Sequence, residues 1–401
     1  MRILFISQLF DPEYSIKGLA LMKHWVEQGH EVEVVTTFPN YPMGKVFENY
    51  QLKLKLVENI EGVKVVRLWS YISHSKSKIS RALTYISFTL MALVYSFLCK
   101  KPDLLYTYHP QSTTGLIGIL LKKFKKVPFI TDVQDLWPDS LIATGFNKDG
   151  AVIKSIGSWC NYIYSQAKAV VVLSNGFKGS LIGRGVDPKK IHLIYNWCPE
   201  ESRINDILLS NNYKLNSDLP AQLIYAGNLG VAQSLVGLID AVGNLPASDI
   251  ELQIYGNGVE KENLEAHVAN FCYKNIFFKG YLPPSDIFNV LVLSDILAVH
   301  LRDEDLFKIT IPSKTQSSMA LNKPLLMAVG GEANTIVEHA AAGVTALPDS
   351  QSSIQKALID FLAQPKEWGS MGDNARQCYL ENFSIASNYN KIDLLLEEIV
   401  A

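Results

Sequence analysis

Short β-branched runs alternate with helical stretches along the whole chain, in two successive sets, and this alternation limits the possible folds more than any other feature. It predicts parallel sheets covered by helices on both faces. In the first half, strands are expected at residues 2–7, 31–36, 63–68, 103–108, 128–131, 169–173 and 192–195. A second sheet is expected from residues 222–226, 250–255, 276–279, 295–301, 324–329 and 344–347. The second half repeats the architecture without repeating the sequence. Residues 196–220, polar and containing Pro, Asn and Ser, read as a hinge between two doubly wound α/β domains. A length of 401 residues suits two domains of about 200, each able to bury a full core.

Composition narrows the functional classes. With 48% hydrophobic and 19% charged residues the chain is that of a folded protein, and a net charge of -2 gives no reason to expect nucleic acid as a partner. Five scattered cysteines without a C-x-x-C pair suggest reduced thiols. The N-terminus runs straight into the first strand without the features of an export signal, so a cytoplasmic location is expected. Residues 82–99 are 18 in a row without a formal charge. As a helix they reach about 27 Å, just under a hydrocarbon core of about 30 Å. Three readings stay open for them. A buried domain helix is favoured by topology, because the strands on either side belong to one sheet; a membrane span is the least favoured. Monotopic attachment is suggested by the basic flanks His74, Lys76, Lys78, Arg81, Lys100 and Lys101, with Lys122, Lys123, Lys125 and Lys126 adding to it if the patches share a face.

No G-x-G-x-x-G follows the first strand, and no P-loop, H-E-x-x-H or Asp-rich metal loop is present, so neither a dinucleotide nor a metal is expected. The candidate chemistry lies at strand ends, where parallel sheets hold ligands. The first strand opens into a long loop carrying Asp11, Ser15 and Gly18. Two further strand ends deliver His109 and the run Asp132, Gln134, Asp135. His109 and Asp135 could orient hydroxyls or accept a proton, while Asp132 reads as a satisfied buried group. In the second half, Tyr225-Ala-Gly227-Asn228-Leu-Gly and Tyr255-Gly256-Asn-Gly258 end successive strands with glycines that let a phosphate approach the backbone. Gly280-Tyr281-Leu282-Pro-Pro forms a stiff loop suited to a flat base. Arg302, Lys308 and the helix opening Pro312-Ser313-Lys314 then supply cations at a helix N-terminus, a natural phosphate site.

Together these segments resemble the family 4 retaining glycosyltransferases of GT-B architecture, of the bacterial O-antigen, capsule and colanic-acid type, and are similar to N-acetylfucosamine transferases. The resemblance is carried by RILFISQLFDPE, EQGHEVEVVTTFPNYPMG, TDVQDLWPDSLIATG, YAGNLGVAQSL, YGNG, GYLPPSDI, LFKITIPSK and NARQCYLENFS, and it covers nearly the whole chain. It implies two Rossmann-like domains facing a central cleft: residues 1–198 with 380–401 for the acceptor, residues 199–379 for the donor, and a last helix crossing back to the first domain. The implied donor is a UDP-sugar, with an N-acetylated amino or deoxyamino sugar. The implied acceptor is an undecaprenyl-diphosphate-linked saccharide at the cytoplasmic face of the inner membrane, with no metal or cofactor needed. On this pattern His109, Asp135 and Lys308 are the catalytic candidates. Gly18, Gly227, Asn228, Gln233, Gly256, Gly258, Tyr281, Leu282, Arg302, Pro312, Ser313, Lys314 and Ser317 fall to the donor, and Asp11, Ser15 and Gln134 to the acceptor.

The chain departs from the wider family at two places. Where many members hold the diphosphate with an Arg and a Lys five residues apart, this sequence has Asn228 and Gln233. The family's paired glutamates fall on Ile309 and Ser317, leaving Gln316 or Ser317 as candidates for the ribose. The diphosphate charge is then expected to fall to Lys308, Arg302 and Lys314, with Lys308→Ala severely impaired yet folded. A UDP-sugar 2-epimerase and a non-catalytic partner subunit of the same fold are the competing readings.

Overall fold

The structure, a computed structural model, describes residues 1–73, 77–143, 145–210 and 220–400, without the side chains of residues 78, 81 and 111. His74 and Lys76 of the expected basic flank, and residues 211–219 of the expected hinge, therefore lie outside the described residues. The chain forms two compact units, Met1–Ile194 with Tyr389–Ala401, and Tyr195–Asn388. The boundaries thus fall at 194/195 and 388/389, against the 198/199 and 379/380 expected from the sequence. Part of the expected hinge is helical: Glu201–Ser210 buries Ile204 and Ile207 on one face.

Among the described residues the first unit contains β1 (Arg2–Ser7), β2 (Glu31–Thr37), β3 (Lys55–Ile60), β4 (Val63–Leu68), β5 (Leu104–His109), β6 (Phe129–Val133), β7 (Ala169–Val172) and β8 (Ile191–Leu193), in sheet order β3-β4-β2-β1-β5-β6-β7-β8. All pair in parallel except β3, which lies antiparallel to β4 at the edge. The central strands are buried along nearly their whole length, as strands covered on both faces must be. The order reverses between β1 and β5, where the ends of those strands meet: the backbone N–H of Gln8 donates to the His109 carbonyl at 2.7 Å. Such a reversal opens a crevice at the carboxyl ends of the strands.

The second unit is built from β9 (Ala221–Ala226), β10 (Ile250–Tyr255), β11 (Ile276–Gly280), β12 (Ile296–His300), β13 (Leu325–Ala328) and β14 (Gly343–Thr345), all parallel, in the order β11-β10-β9-β12-β13-β14. Its reversal lies between β9 and β12. The core packs Leu223, Tyr225, Leu252 and Ile254 against Leu238, Ile239, Leu358, Phe361 and Trp368. The terminal helix Ile385–Val400 belongs to the first unit from Tyr389 onward, and its Asp393 bonds His24 Nε2 at 2.7 Å.

Candidate active site

In the second unit, backbone packs on backbone at three successive strand ends. Gly227 N–H donates to the Tyr255 carbonyl and Gly256 N–H to the Gly280 carbonyl, both at 2.8 Å. Gly256, at φ +149°, leaves room for no side chain, since a Cβ there would sit 1.8 Å from the Gly227 oxygen. A Cβ on Gly258 would lie 2.2 Å from the Leu229 oxygen. These glycines let the loops after β9, β10 and β11 form one continuous main-chain floor.

Lys314 lies against that floor. A Cβ on Gly227 would come within 2.2 Å of its Nζ. The ammonium donates to the Tyr225 hydroxyl at 2.5 Å and sits 3.9 Å from the centre of that ring, while the hydroxyl donates to the Asn228 carbonyl at 2.8 Å. Among the described residues no carboxylate offsets the burial, which pulls the Lys314 pKa down to about 7. Lys314 is the second residue of the helix Ser313–Ala320, whose N-cap, Pro312, adds no side-chain acceptor to the positive end of the helix dipole. A half-buried ammonium and uncapped helix N–H groups at one strand end suit an anion.

The other expected cations are placed differently. Lys308 pairs with Asp303 at 2.9 Å and Asp305 at 3.4 Å, which raise its pKa, and Arg302 pairs with Glu304. Their charges are already met by acids. Asn228 and Gln233 bond each other at 3.2 Å, and the Gln233 side-chain oxygen also accepts from Gly230 N–H. These two neutral residues brace the loop from within. Ser317 Oγ donates back to the Lys314 carbonyl at 3.2 Å, and the Gln316 amide, oriented to donate, reaches the carbonyls of Pro312 and Ser313. Tyr281 is exposed just beyond β11 and Leu282 is half-buried beside it.

Sequence reasoning missed His300, the last residue of β12, because it closes an apolar run and reads as strand interior. It is buried, and its Nδ1 donates to the Gln233 carbonyl at 2.8 Å. Burial holds its pKa down, so the ring is neutral and its buried Nε2 is an acceptor with no partner among the described residues. The signal that could have found it is position, since β12 is one of the two strands flanking the reversal.

The first unit gathers its candidates on the adjoining ends of β1, β5 and β6. His109 is half-buried at the end of β5, with a buried Nδ1 that has no partner among the described residues, and the neighbouring Gln8 Oε1 is likewise unmatched. Desolvation lowers the His109 pKa to about 4. Between that value and the ordinary 6.5 the unfolded chain binds a proton that the native state does not. His109 thus contributes stability that is complete above about pH 6.5 and is lost as pH falls toward 4. A His109→Gln variant is expected to show a flatter unfolding midpoint between pH 6.5 and 4; an unchanged profile would put the pH dependence on other groups.

Asp135 follows β6, open to solvent on one side and crowded enough on the others that burial raises its carboxyl pKa. Gln134 is committed inward, its amide donating to Asp132 Oδ1 at 2.5 Å. Asp132 is fully buried, paired with the equally buried Lys17 and accepting from the Tyr106 hydroxyl at 2.5 Å. Lys17, which sequence reasoning passed over, therefore anchors the β1 loop. Asp11 shapes the same loop: its carboxylate accepts from Leu19 N–H at 2.7 Å, opening the helix Leu19–Glu27, and its carbonyl accepts from Arg67 at 2.6 Å. Gly18 is needed there because a Cβ would lie 2.4 Å from that carboxylate, and the Ser15 hydroxyl is buried without a hydrogen-bond partner among the described residues. Glu13, also missed, accepts from the N–H groups of Asn40 and Tyr41 at 2.7 Å and joins the loops after β1 and β2. Among the described residues no three His, Cys, Asp or Glu side chains gather as a metal ion would require.

Two family models match the chain in succession. Residues 19–197 match the model for a glycosyl transferase 4-like domain, and residues 212–378 match glycosyl transferases group 1. The chain pairs a glycosyl transferase 4-like domain with a domain of the glycosyl transferases group 1. WbjE of Pseudomonas aeruginosa, named as a glycosyltransferase, is 24% identical over 259 residues, 63% of this chain and 64% of its own length, so the chain spans just under two thirds of that relative. WcaI of Escherichia coli K12, named for colanic acid biosynthesis, is 26% identical over 292 residues, 69% of this chain and 71% of its own. Among solved structures, Anabaena HepE in complex with UDP-glucose superposes with a TM-score of 0.68 at 14% identity, covering 99% of this chain and 100% of that one. WaaG, a glycosyltransferase involved in lipopolysaccharide biosynthesis, gives 0.66 at 14% identity, with 98% and 99% covered. The chain thus has the GT-B fold class expected from its sequence, and its two parallel sheets are those of that class.

Proposed function

We propose that the second unit binds the diphosphate of a UDP-sugar, and that the protein transfers the sugar, with retention of configuration, to a lipid-linked saccharide in surface polysaccharide synthesis. The observation that carries this reading is Lys314, an ammonium without an acid partner, held against Gly227 at the N-terminus of Ser313–Ala320. Breaking the bond between the sugar C1 and the diphosphate oxygen builds negative charge on the leaving group, and a fixed cation with a helix dipole stabilises it. A metal would then be dispensable. In this scheme the acceptor oxygen attacks C1 from the face the diphosphate leaves, and its proton passes to a departing phosphate oxygen. His109 and Asp135 orient sugar or acceptor hydroxyls, with His109 acting as a neutral ring. The donor sugar is proposed to be an N-acetylated amino or deoxyamino hexose and the acceptor an undecaprenyl-diphosphate-linked saccharide, reached from the cytoplasmic face of the inner membrane. HepE, crystallised with UDP-glucose, and WcaI, named for colanic acid, support the donor class and the pathway type.

A thermal-shift panel of UDP, GDP, dTDP and ADP, run with and without EDTA, tests this reading. UDP at 100 times its dissociation constant is expected to add about 2.7 kcal/mol to the stability of the protein. A shift with UDP that survives EDTA supports the assignment. Absence of any nucleotide shift would favour a non-catalytic partner subunit instead.

A further inference from the structure

The helix Lys78–Leu98 is amphipathic in the reverse of the usual sense. Its inward face buries Phe88, Thr89, Ala92 and Ser96, of which three are small or polar. Its outward face carries Ile79, Leu83, Ile86, Leu90, Val94 and Leu98, between 46% and 80% exposed, at the 3- and 4-residue spacing that places them in one stripe. A helix that covers a soluble domain normally turns such residues inward. A contiguous apolar stripe of this length, about 32 Å for 21 residues, marks a surface that another body covers. No described helix is long and apolar enough to cross a membrane.

Contacts at the C-terminal end of this helix join it to the lysine cluster at the end of the helix Gln111–Lys125. Lys125 Nζ donates to the carbonyls of Ser96 at 3.2 Å and Phe97 at 2.7 Å, and the Phe97 and Phe124 rings lie 6.2 Å apart. Phe124 is itself 63% exposed, flanked by the exposed Lys122, Lys123 and Lys126, with Lys101 at the end of the stripe beside Lys100, which pairs with Glu31 at 3.6 Å. The sequence has no Asp or Glu from residue 78 to 101 or from 111 to 128. Both ends of the long helix are basic in sequence, although the side chains of Lys78 and Arg81 lie outside the described set. A second copy laid on the stripe would therefore set like charge against like. Anionic headgroups complement it.

We infer that the outward face of Lys78–Leu98, with Phe124 and the lysines beside it, docks the first unit in the plane of an anionic phospholipid bilayer. The apolar stripe enters the acyl boundary and the lysines meet the phosphates. This deepens the peripheral placement proposed above and is independent of the donor assignment. The test is flotation of the full chain on phosphatidylcholine vesicles with and without phosphatidylglycerol, over a range of salt. Binding is expected only with phosphatidylglycerol, falling as salt screens the lysines. Ile86→Glu/Leu90→Glu is expected to lower it at least tenfold, and changing Lys101, Lys123 and Lys126 to Gln about fivefold per residue. The nucleotide shift measured on the same variants reports whether they fold and hold the donor. Equal flotation of the stripe variant would overturn the inference, as would failure of the wild-type chain to float. So would a wild-type dimer that the stripe variant converts to monomer without any vesicle binding. Vesicle binding intact in a protein that binds no nucleotide would instead sink the transfer reading and leave this one standing.

Discussion

Replacing Lys314 with methionine is expected to slow sugar transfer about 100-fold to 1000-fold while leaving the protein folded. Methionine keeps the length and apolar stem that lie over the Tyr225 ring and removes only the ammonium. The size of the effect follows from the surroundings, because Lys314 is the expected cation with no acid partner, whereas Lys308 and Arg302 are each met by carboxylates. Its pKa of about 7 adds a second readout. Binding a diphosphate anion favours the protonated form, so the wild-type protein takes up a proton with UDP when the pH is above 7, and its affinity falls as the pH rises toward 9. The methionine variant should bind weakly and without that slope. Calorimetric titration of UDP across pH 7–9 checks both; a flat wild-type profile with unchanged affinity in the variant removes Lys314 from the site. Lys308→Ala, assayed alongside, is also expected to be impaired, and wild-type turnover there would take Lys308 out of the mechanism.

The second large effect is on stability. Asp132→Ala is expected to cost the first unit about 3–5 kcal/mol, because it leaves the fully buried Lys17 ammonium without its counter-charge. Against a typical total of about 5–15 kcal/mol this approaches unfolding. The Tyr106 hydroxyl and the Gln134 amide lose their acceptor as well. A Lys17→Met/Asp132→Leu double variant should recover most of the loss, since it removes both charges and fills the space with apolar atoms. Denaturant unfolding of the three proteins measures this. A loss below about 1 kcal/mol in the single variant would mean that water or a neutral Lys17 relieves the site, and would remove the buried ion pair as the source of the stability.

What could be read from the sequence follows from how local each signal is. Strands buried on both faces, such as β1, β2 and β5, announce themselves as apolar runs, and their order in α/β alternation gave both sheets. The edge strand β3 did not, because Lys-Leu-Val-Glu-Asn-Ile interleaves charge with apolar residues and buries neither face fully. Glu201–Ser210 hid in an expected hinge since only Ile204 and Ile207 mark its buried side. The glycines of the main-chain floor in the second unit were legible, being the residues a close main-chain approach demands. The partition of charge was not. That Lys308 and Arg302 are paired while Lys314 is not depends on side-chain placement, and the partners Lys17 and Asp132 stand 115 residues apart in the chain. Spacing carries no trace of such pairs.

The chain leaves the first unit after Ile194 and returns to it at Tyr389. Topologically the second unit is therefore a single uninterrupted insert, whereas the first is assembled from two separate stretches of the chain. A lineage could exchange the insert as one cassette, with two junctions to repair and no strand of the host sheet to re-pair. The same geometry makes the two halves unequal under truncation: loss of the last dozen residues wounds the half that contains the N-terminus and spares the one that precedes the cut.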